Sequence, residues 1–430
     1  MTPDRCLTIW IEQRRVGLLA EQSGLWRLDY DPAWSQAADS FDLAPALARA
    51  QGSVIDGASH RPVQWFFDNL LPEEAARTLL AREARISGDD AFALLAHYGA
   101  ESAGALTLLG ADDAPASGGL RALDDATLQA RITRLPHASL LADAPKRMSL
   151  AGAQHKLAVV VRDGQLFEPV GSTPSTHILK PDHRDTDSYP HSAANEWFVM
   201  QLAARVGLHI PAVQLRQVPD TAYLIERFDR RPDHGSIRRR HAIDACQLLG
   251  LDRVVKYRAA DMAALGAAAN ACRSRALTRQ NLYRWLVFNL LVGNHDAHLK
   301  NLSFLIDSNG IALAPHYDLL CTVLYGGGQD PARWADAELP VALEHVPSYR
   351  HLRRSHVLAA GQALGLGKAA AARWLDLQLQ QLPAAADHLY AELETAVNAG
   401  ARNALHPGEL HLLRQIRHLV IADMATQLRP

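Results

Sequence analysis

The chain has 430 residues, of which 48% are hydrophobic and 21% charged, a balance that excludes a disordered or fibrous protein. Its 44 basic and 46 acidic residues give a net charge of −2, which excludes a protein drawn as a whole to nucleic acid or to an anionic membrane. The length exceeds that of most single hydrophobic cores and predicts two lobes.

Cysteine usage and hydropathy indicate a cytoplasmic protein. The four cysteines form no CxxC pair, which is typical of a reducing compartment rather than of a disulfide framework or a zinc ribbon. The N-terminus has no apolar stretch of signal-peptide length, and no later run approaches the roughly 20 apolar residues that cross a bilayer. We therefore expect no membrane partner.

The first part of the chain predicts a small β meander followed by two helices. Residues 7–30 alternate short apolar runs with polar breaks, as antiparallel strands do. The apolar periods of residues 65–84 and 89–106 are those of helices, and a cap-like Ser-Gly-Asp begins the second. Residues 111–120 (ADDAPASGGL) have no period and predict a linker.

The next part predicts strands around one helix. A β-branched run (LAVVV) leads into Asp163-Gly164, a dipeptide typical of tight hairpin turns. Residues 176–180 and 222–228 predict two further strands, and residues 194–208 predict an amphipathic helix. Together these elements make a small mixed β-lobe.

Beyond residue 240 the helical period dominates. Helices are predicted at 241–250 and 282–294, and through much of 351–427. The second lobe is therefore expected to be largely α-helical, and the fold class to be α+β.

Polar and charged groups crowd into the segment GNHDAHLKNLSF, directly behind an apolar helix. Asp296 and Asn301 are five residues apart, the spacing of a kinase catalytic loop, in which the aspartate orients the attacking hydroxyl and the asparagine holds metal. Asp318 follows an apolar run that predicts a strand, and would supply a further Mg²⁺ carboxylate. The pattern predicts phosphoryl transfer.

Upstream residues are suited to bind phosphate. The segment SLAGAQHK has small residues whose backbone N–H groups can approach phosphate oxygens, and Lys156 and Lys180 supply positive charge. Glu196, on the following helix, is the natural partner of Lys180 by analogy with the lysine–glutamate pair of protein kinases. The strand YLIERF offers backbone groups for adenine.

These segments resemble, in order, those of the HipA family of bacterial toxin kinases. The matching pieces are FFDNLLPE, FALLAHYGAESAGAL, RMSLAGAQHKLAV, STPSTHILKP, NEWFVMQLAARVGL, IERFDRR, GNHDAHLKN and PHYDLL. The resemblance implies a two-lobed kinase-like fold distantly similar to phosphoinositide kinases, with a small mixed β N-lobe and a largely α-helical C-lobe. It also implies four regions, which are an N-terminal subdomain at 1–110, a linker at 111–120, an ATP-binding lobe at 121–240 and a catalytic lobe at 241–430.

The resemblance implies a role for each site residue. Asp296 is the catalytic base, and Asn301 and Asp318 bind Mg²⁺. The residues expected to contact ATP are Ala151, Gly152, Ala153, Gln154, His155, Lys156, Lys180, Glu226, Arg227, Phe228, His298, Lys300 and Tyr317. Where the family commonly has Glu between Gln and Lys of the glycine-rich loop, this chain has His155.

The resemblance also implies regulation and partners. Ser149 occupies the position of a serine whose autophosphorylation silences the kinase, because the added charge would repel the ATP phosphates. The expected partners are a HipB-like helix-turn-helix antitoxin, operator DNA only through the antitoxin complex, and a protein substrate in translation, such as an aminoacyl-tRNA synthetase.

Two alternative functions compete with the kinase. One is a scaffold that binds the antitoxin and DNA without transferring phosphate, which ATP turnover would exclude. The other is a dinuclear metallophosphoesterase, because GNHD resembles part of that signature, but the sequence has no Gly-His to complete the metal cage. The arginine clusters at 238–240 and 353–354 are more often solvated faces than nucleic-acid sites, although the first stands where it would guide a protein substrate.

Overall fold

A computed structural model of the chain describes residues 5–218, 220–325, 331–401 and 404–430. The α+β class is confirmed. The chain divides into two compact units: unit 1 comprises Met1–Lys180, Ile225–Val255 and Ser303–Ala314, and unit 2 comprises Pro181–Leu224, Lys256–Leu302 and Pro315–Pro430. Unit 1 contains most of the strands, and unit 2 is mainly helical.

The strands, in chain order, are β1 (Arg5–Ile11), β2 (Arg14–Gln22), β3 (Leu25–Tyr30), β4 (Ser53–Ile55), β5 (Leu106–Gly110), β6 (Gly119–Ala122), β7 (Leu157–Arg162), β8 (Gln165–Val170), β9 (His177–Pro181), β10 (Val213–Val218), β11 (Asp220–Glu226), β12 (Arg230–Asp233), β13 (Ser236–Arg239), β14 (His241–Asp244), β15 (Ser303–Asp307) and β16 (Gly310–Leu313).

The α-helices, in chain order, are α1 (Pro32–Gln36), α2 (Pro62–Asp68), α3 (Glu74–Ala84), α4 (Ala91–Tyr98), α5 (Asp125–Arg134), α6 (Ser192–Arg205), α7 (Ala245–Leu249), α8 (Met262–Ala271), α9 (Arg275–Val292), α10 (Arg354–Ala363), α11 (Lys368–Asn398), α12 (Pro407–Gln415) and α13 (Ala422–Gln427). No helix of the described residues combines the length and the apolar character needed to span a membrane.

The N-terminal sheet has the order β4-β3-β2-β1-β5, and its pairs are antiparallel, so the predicted meander is confirmed. Its inward residues include Ile9, Leu19 and Leu28, which are fully buried. The helix predicted at 65–84 is two helices, α2 and α3. Pro72 lies in the break, where it has no N–H to donate and biases the preceding residue away from helical backbone.

A second group of unit 1 strands has the order β9-β7-β8-β6. The predicted hairpin is confirmed, because Arg162 pairs with Gln165 across a two-residue turn in which Asp163 and Gly164 both have positive φ. Strand β9 then carries Lys180 near its end.

The helix predicted at 241–250 is wrong in its first half. Residues 241–244 form β14, which pairs with β15, and β15 pairs with β16. Asp244 ends the strand and begins α7, because its side chain accepts from the Gln247 N–H while the Gln247 side chain accepts from the Asp244 N–H. A strand of four residues is too short for its period to be distinguished from that of a helix.

Candidate active site

The segment that carries Asp296 begins where α9 ends. Gly293 ends the helix with a φ of +67°, a backbone conformation that favours glycine. A Cβ at Gly293 would lie 2.5 Å from Val323 Cγ2 and 2.7 Å from Val420 Cγ1. The backbone can therefore turn sharply from the buried helix into the polar segment only because residue 293 has no side chain.

The structure brings Asp296 and Asn301 together. The Asn301 side-chain amide donates to the Asp296 backbone carbonyl at 3.1 Å, and the same carbonyl accepts from the His298 N–H at 2.9 Å. Residues Leu299–Asn301 form one turn of 3₁₀ helix, in which Lys300 and Asn301 are buried. The five-residue spacing therefore corresponds to a compact, internally bonded loop.

Asn294 connects this loop to the Asp318 segment, and sequence reasoning missed it. Its buried amide donates to Asn289 Oδ1 at 2.8 Å and to the Asp318 carbonyl at 3.3 Å, and its Oδ1 accepts from the Asp296 N–H at 3.2 Å. One side chain thus bonds to the backbone of the predicted catalytic aspartate and to that of the predicted metal-binding aspartate. Its position within GNHD, directly after a helix-ending glycine, is the signal that could have identified it.

Asp318 has a left-handed backbone, with a φ of +58°. Few residues other than glycine adopt this conformation, and it persists where surrounding contacts hold it, often at functional sites. The neighbouring Tyr317 donates its hydroxyl to the Lys300 carbonyl at 2.8 Å, a second link to the loop. Asp318 and Asn301 therefore belong to one bonded group of unit 2.

Glu196 and Tyr223 form a buried pair near Asp318. Burial, together with the charges of Glu196 and Asp318, raises the pKa of Tyr223 well above its usual value. The preceding residue, Asn195, bonds both the N–H and the carbonyl of Cys321, at 2.9 and 2.8 Å. Helix α6 is thus joined to the backbone that follows Asp318.

Tyr257 contacts the loop of Asp296 to Asn301 directly, and sequence reasoning missed it as well. Its hydroxyl donates to Asp296 Oδ1 at 2.5 Å, and its ring meets the edge of the His298 ring at a centroid distance of 4.8 Å. The tyrosine is 50% exposed. No motif marks this residue, because it lies 39 positions before Asp296.

The glycine-rich loop lies in unit 1. Gly152 has a φ of +106°, and the Lys156 ammonium donates back to the Ala151 carbonyl at 2.6 Å, which closes the loop. The Gly152 carbonyl accepts from the Glu73 N–H at 3.2 Å, so the loop is attached to the segment between α2 and α3. Ala153, Gln154 and His155 complete the turn and are half-buried.

Ser149 is fully buried at the start of this loop. Its hydroxyl donates to the Leu70 carbonyl at 2.7 Å, and its N–H donates to the Glu101 carbonyl at 2.7 Å. The hydroxyl predicted to be autophosphorylated therefore points into the protein in this structure.

The remaining predicted nucleotide contacts have different surroundings. Lys180 is buried in unit 1, while Glu196 is buried in unit 2, so their pairing stays a prediction. Glu226 is exposed at the end of β11. Phe228 packs against the small cluster of Ala242, Leu305 and Ala314. The Arg227 N–H donates to the Thr176 carbonyl at 2.9 Å, and its guanidinium is buried in an ion-pair network.

That network surrounds Glu101, a fully buried carboxylate of unit 1. Burial by itself would raise the pKa of Glu101, but the positive charges of four residues hold the pKa well below its usual value. The four cations are Lys146, Arg227, Arg230 and Arg239, with ion-pair distances of 2.6, 3.4, 2.8 and 2.8 Å. Within the predicted arginine cluster at 238–240, Arg239 is thus a buried structural residue, whereas Arg238 is exposed beside Asp233.

Two family profiles match the chain. The HipA N-terminal domain matches residues 7–109, and the HipA-like C-terminal domain matches residues 148–387. The second match alone covers more than half of the chain.

Individual proteins agree with these profiles. A putative kinase of Sinorhizobium fredii is 37% identical over 75% of this chain and 78% of its own length. The serine/threonine-protein kinase toxin HipA of Shewanella oneidensis is 30% identical over 69% of this chain and 70% of its own length. A chain in the solved complex of HipA, HipB and operator DNA from Shewanella oneidensis MR-1 has a TM-score of 0.80 at 24% identity, covering 98% of this chain and 97% of that one. At that identity the structural likeness shows the fold.

Proposed function

This chain belongs to the HipA family and is a serine/threonine-protein kinase, and we propose that it transfers the γ-phosphoryl group of Mg-ATP to a protein hydroxyl as the toxin of a toxin-antitoxin pair. The observation that supports this reaction most strongly is the bonded group of Asp296, Asn301 and Asp318, held together by Asn294. Phosphoryl transfer depends mainly on positioning and charge neutralisation, which such a group supplies.

We assign the metal to Asn301 and Asp318. The Asn301 side-chain nitrogen donates to the Asp296 carbonyl, so the metal ligand is assigned to the Asn301 side-chain oxygen. Asp318 adds a carboxylate. Oxygen donors of this kind suit Mg²⁺, so the residues fit the ion. When bound, Mg²⁺ neutralises charge on the ATP phosphates. Asp296 orients the acceptor hydroxyl and takes its proton.

We assign the nucleotide to the residues that family membership implies. Backbone N–H groups of Ala151 to Lys156 are suited to phosphate oxygens, and Lys180 adds a buried positive charge. The adenine is assigned to the backbone around Glu226 to Phe228, since the Arg227 side chain is committed to its ion pairs. We also assign ATP contacts to three residues in or next to the catalytic loop, which are His298, Lys300 and Tyr317.

We assign the regulatory role and the partners by family membership. Phosphorylation of Ser149 would silence the kinase, a HipB-like antitoxin would bind it, and operator DNA would be contacted only through that complex. The solved relative was captured with HipB and operator DNA, which supports this choice of partner. The protein substrate would act in translation, an aminoacyl-tRNA synthetase being one candidate.

The test of the proposed function is Asp296→Asn. This variant should keep its affinity for Mg-ATP in calorimetry but lose about 10²- to 10⁴-fold in phosphate transfer from radiolabelled ATP, because both proton acceptance and orientation are lost. Asp307→Asn, an exposed aspartate at the end of β15, is the matched control and should remain fully active. Phosphoproteomics of host cells after brief expression of wild type or Asp296→Asn would identify the substrate.

Full activity of Asp296→Asn would contradict the catalytic assignment. Binding of ATP without turnover by the wild-type chain would favour the scaffold. Hydrolysis of a phosphodiester with Mn²⁺ and no ATP would favour the phosphoesterase.

A further inference from the structure

Tyr257 makes the same hydrogen bond to Asp296 that an acceptor hydroxyl must make. We propose that Tyr257 is a specificity-determining residue, whose phenol occupies the acceptor position on Asp296 and keeps water away until a protein hydroxyl displaces it. This inference rests on the proposed function, because it takes Asp296 as the catalytic base.

The Tyr257 hydroxyl contacts Asp296 in the way expected of a hydroxyl that accepts the phosphoryl group. The phenol donates to Asp296 Oδ1 at 2.5 Å, the length of a strong bond to a carboxylate. A serine or threonine hydroxyl that attacks ATP must donate to this carboxylate in the same way. The tyrosine therefore resembles a substrate at the one atom that matters for proton transfer.

The backbone on either side of Tyr257 is held in place. The Lys256 carbonyl accepts from the Leu299 N–H at 3.3 Å, and the Ala260 carbonyl accepts from the Ala342 N–H at 2.8 Å. By contrast, the Tyr257 side chain is 50% exposed, and its ring contacts the His298 ring edge to face and the Lys256 ammonium at 5.1 Å from the ring centroid. The ring can thus rotate into solvent while its backbone stays attached to the catalytic loop.

Displacement of the Tyr257 phenol determines whether a protein hydroxyl or a water molecule reacts with ATP. In transfer to a protein, the acceptor oxygen bonds to the γ-phosphorus, the bond from that phosphorus to the bridging oxygen breaks with its electron pair going to ADP, and the acceptor proton passes to Asp296. If water takes the acceptor position, the same bond changes yield ADP and inorganic phosphate. A protein segment bound by many contacts can displace the phenol, whereas one water molecule competes with a tethered group at high effective concentration.

The experiment measures ATP hydrolysis by the full chain without an added acceptor. Tyr257→Phe removes the donor but keeps the ring, so phosphate release should rise about three- to tenfold, the value of one partly exposed hydrogen bond to a charge. The KM for ATP should stay unchanged. Tyr189→Phe is the matched control, because Tyr189 is 43% exposed in the same unit, and its hydrolysis rate should equal that of wild type.

Two further variants keep the result interpretable. Tyr257→Ala should raise hydrolysis at least as much, and its melting temperature would show that it folds. Adding Asp296→Asn to Tyr257→Phe should abolish the gain, which ties the effect to the catalytic base. An unchanged or lower hydrolysis rate in Tyr257→Phe, with wild-type autophosphorylation intact, would overturn this inference alone. No phosphate transfer or hydrolysis by any variant or by wild type would overturn the proposed function and this inference with it.

Discussion

Ser149 is held by hydrogen bonds that a phosphorylated side chain cannot make. Its hydroxyl donates to the Leu70 carbonyl, and a phosphoserine ester oxygen has no hydrogen to donate. A phosphoryl group would also place nearly two negative charges against the carbonyls of Leu70 and Glu101 in a fully buried position. The loop that starts at Ser149 would therefore have to leave its present site.

Ser149→Asp should mimic the silenced kinase. We expect its ATP affinity, measured by calorimetry, to fall at least about tenfold, because a buried unpaired charge expels the loop. Ser149→Ala loses one buried hydrogen bond but gains no charge, so it should bind ATP and keep its activity during prolonged incubation with ATP. Ser117→Asp, at an exposed serine, is the matched control. Equal ATP affinity and activity of Ser149→Asp and Ser149→Ala would contradict the switch.

Helix α9 leads directly into the proposed catalytic loop. Most of its last ten residues are buried, and the helix ends at Gly293, whose backbone is left-handed. The polar segment then returns across Thr322, whose Oγ1 accepts from the His295 N–H at 2.8 Å and whose N–H donates to the Gly293 carbonyl at 3.0 Å. The position of Asp296 thus depends on how one helix stops.

Gly293→Ala should destabilise the protein by about 2–5 kcal/mol, the sum of a left-handed backbone penalty and overpacking against two valines. Urea unfolding would measure the change, and ATP turnover should fall in parallel because the loop shifts. Gly266→Ala on α8 is the matched control. A Cβ there meets nothing within 4 Å, so the variant should be neutral or more stable. If both variants unfold at the wild-type urea concentration, the steric argument is wrong.

Sequence reasoning succeeded where the signal is local. Helix α9 and the Asp163-Gly164 hairpin follow from the order of neighbouring residues. It failed where distant residues decide the outcome: β14 exists because β15 pairs with it, and Arg239 is buried because Glu101 lies beside it.

The hydrogen bonds that assemble the candidate site are the least predictable part. Asn195 and Cys321, which join α6 to the Asp318 segment, are 126 residues apart. Tyr257 likewise acts through a contact with a residue 39 positions away, which leaves no periodic trace in the sequence. A motif can name the reacting groups, but the side chains that hold them require coordinates.

On the scale of the whole molecule, unit 1 contains a network of buried charges centred on Glu101. Glu101 joins the N-terminal region to Lys146, which precedes the glycine-rich loop, and to Arg230 and Arg239, which follow it. Asp229 is the other buried carboxylate of this network and pairs with Arg227 at 2.6 Å. Because the cations outnumber these two carboxylates, loss of Glu101 would leave buried positive charge uncompensated.

Glu101→Gln should lower the free energy of unfolding by about 3–5 kcal/mol, measured by denaturant titration at pH 7. In the wild-type protein the pKa of the Glu101 carboxyl is lower in the folded state than in the unfolded chain, so the folded state binds the proton less tightly. The stabilisation is therefore complete above the unfolded value of 4.5 and is lost as pH falls below it towards the folded pKa. The difference between wild type and Glu101→Gln should shrink over that acidic range.

Asp39→Asn removes the exposed ion pair between Asp39 and Arg14 and is the matched control. Its free energy of unfolding should differ little from that of wild type, both at pH 7 and in the acidic range. A Glu101→Gln variant as stable as wild type at neutral pH would show that the network contributes no net stability.

The glycine-rich loop is bonded to Leu70, Glu73 and Glu101, and these bonds limit where the chain can be truncated. The two family profiles suggest a natural cut between residues 109 and 148, yet three of the backbone and side-chain partners that seat the loop lie on the far side of that cut. A fragment trimmed to the C-terminal profile would keep the proposed reacting groups and lose the residues that hold the glycine-rich loop in place. The leading segment is therefore best regarded as part of the catalyst rather than as cargo appended to it.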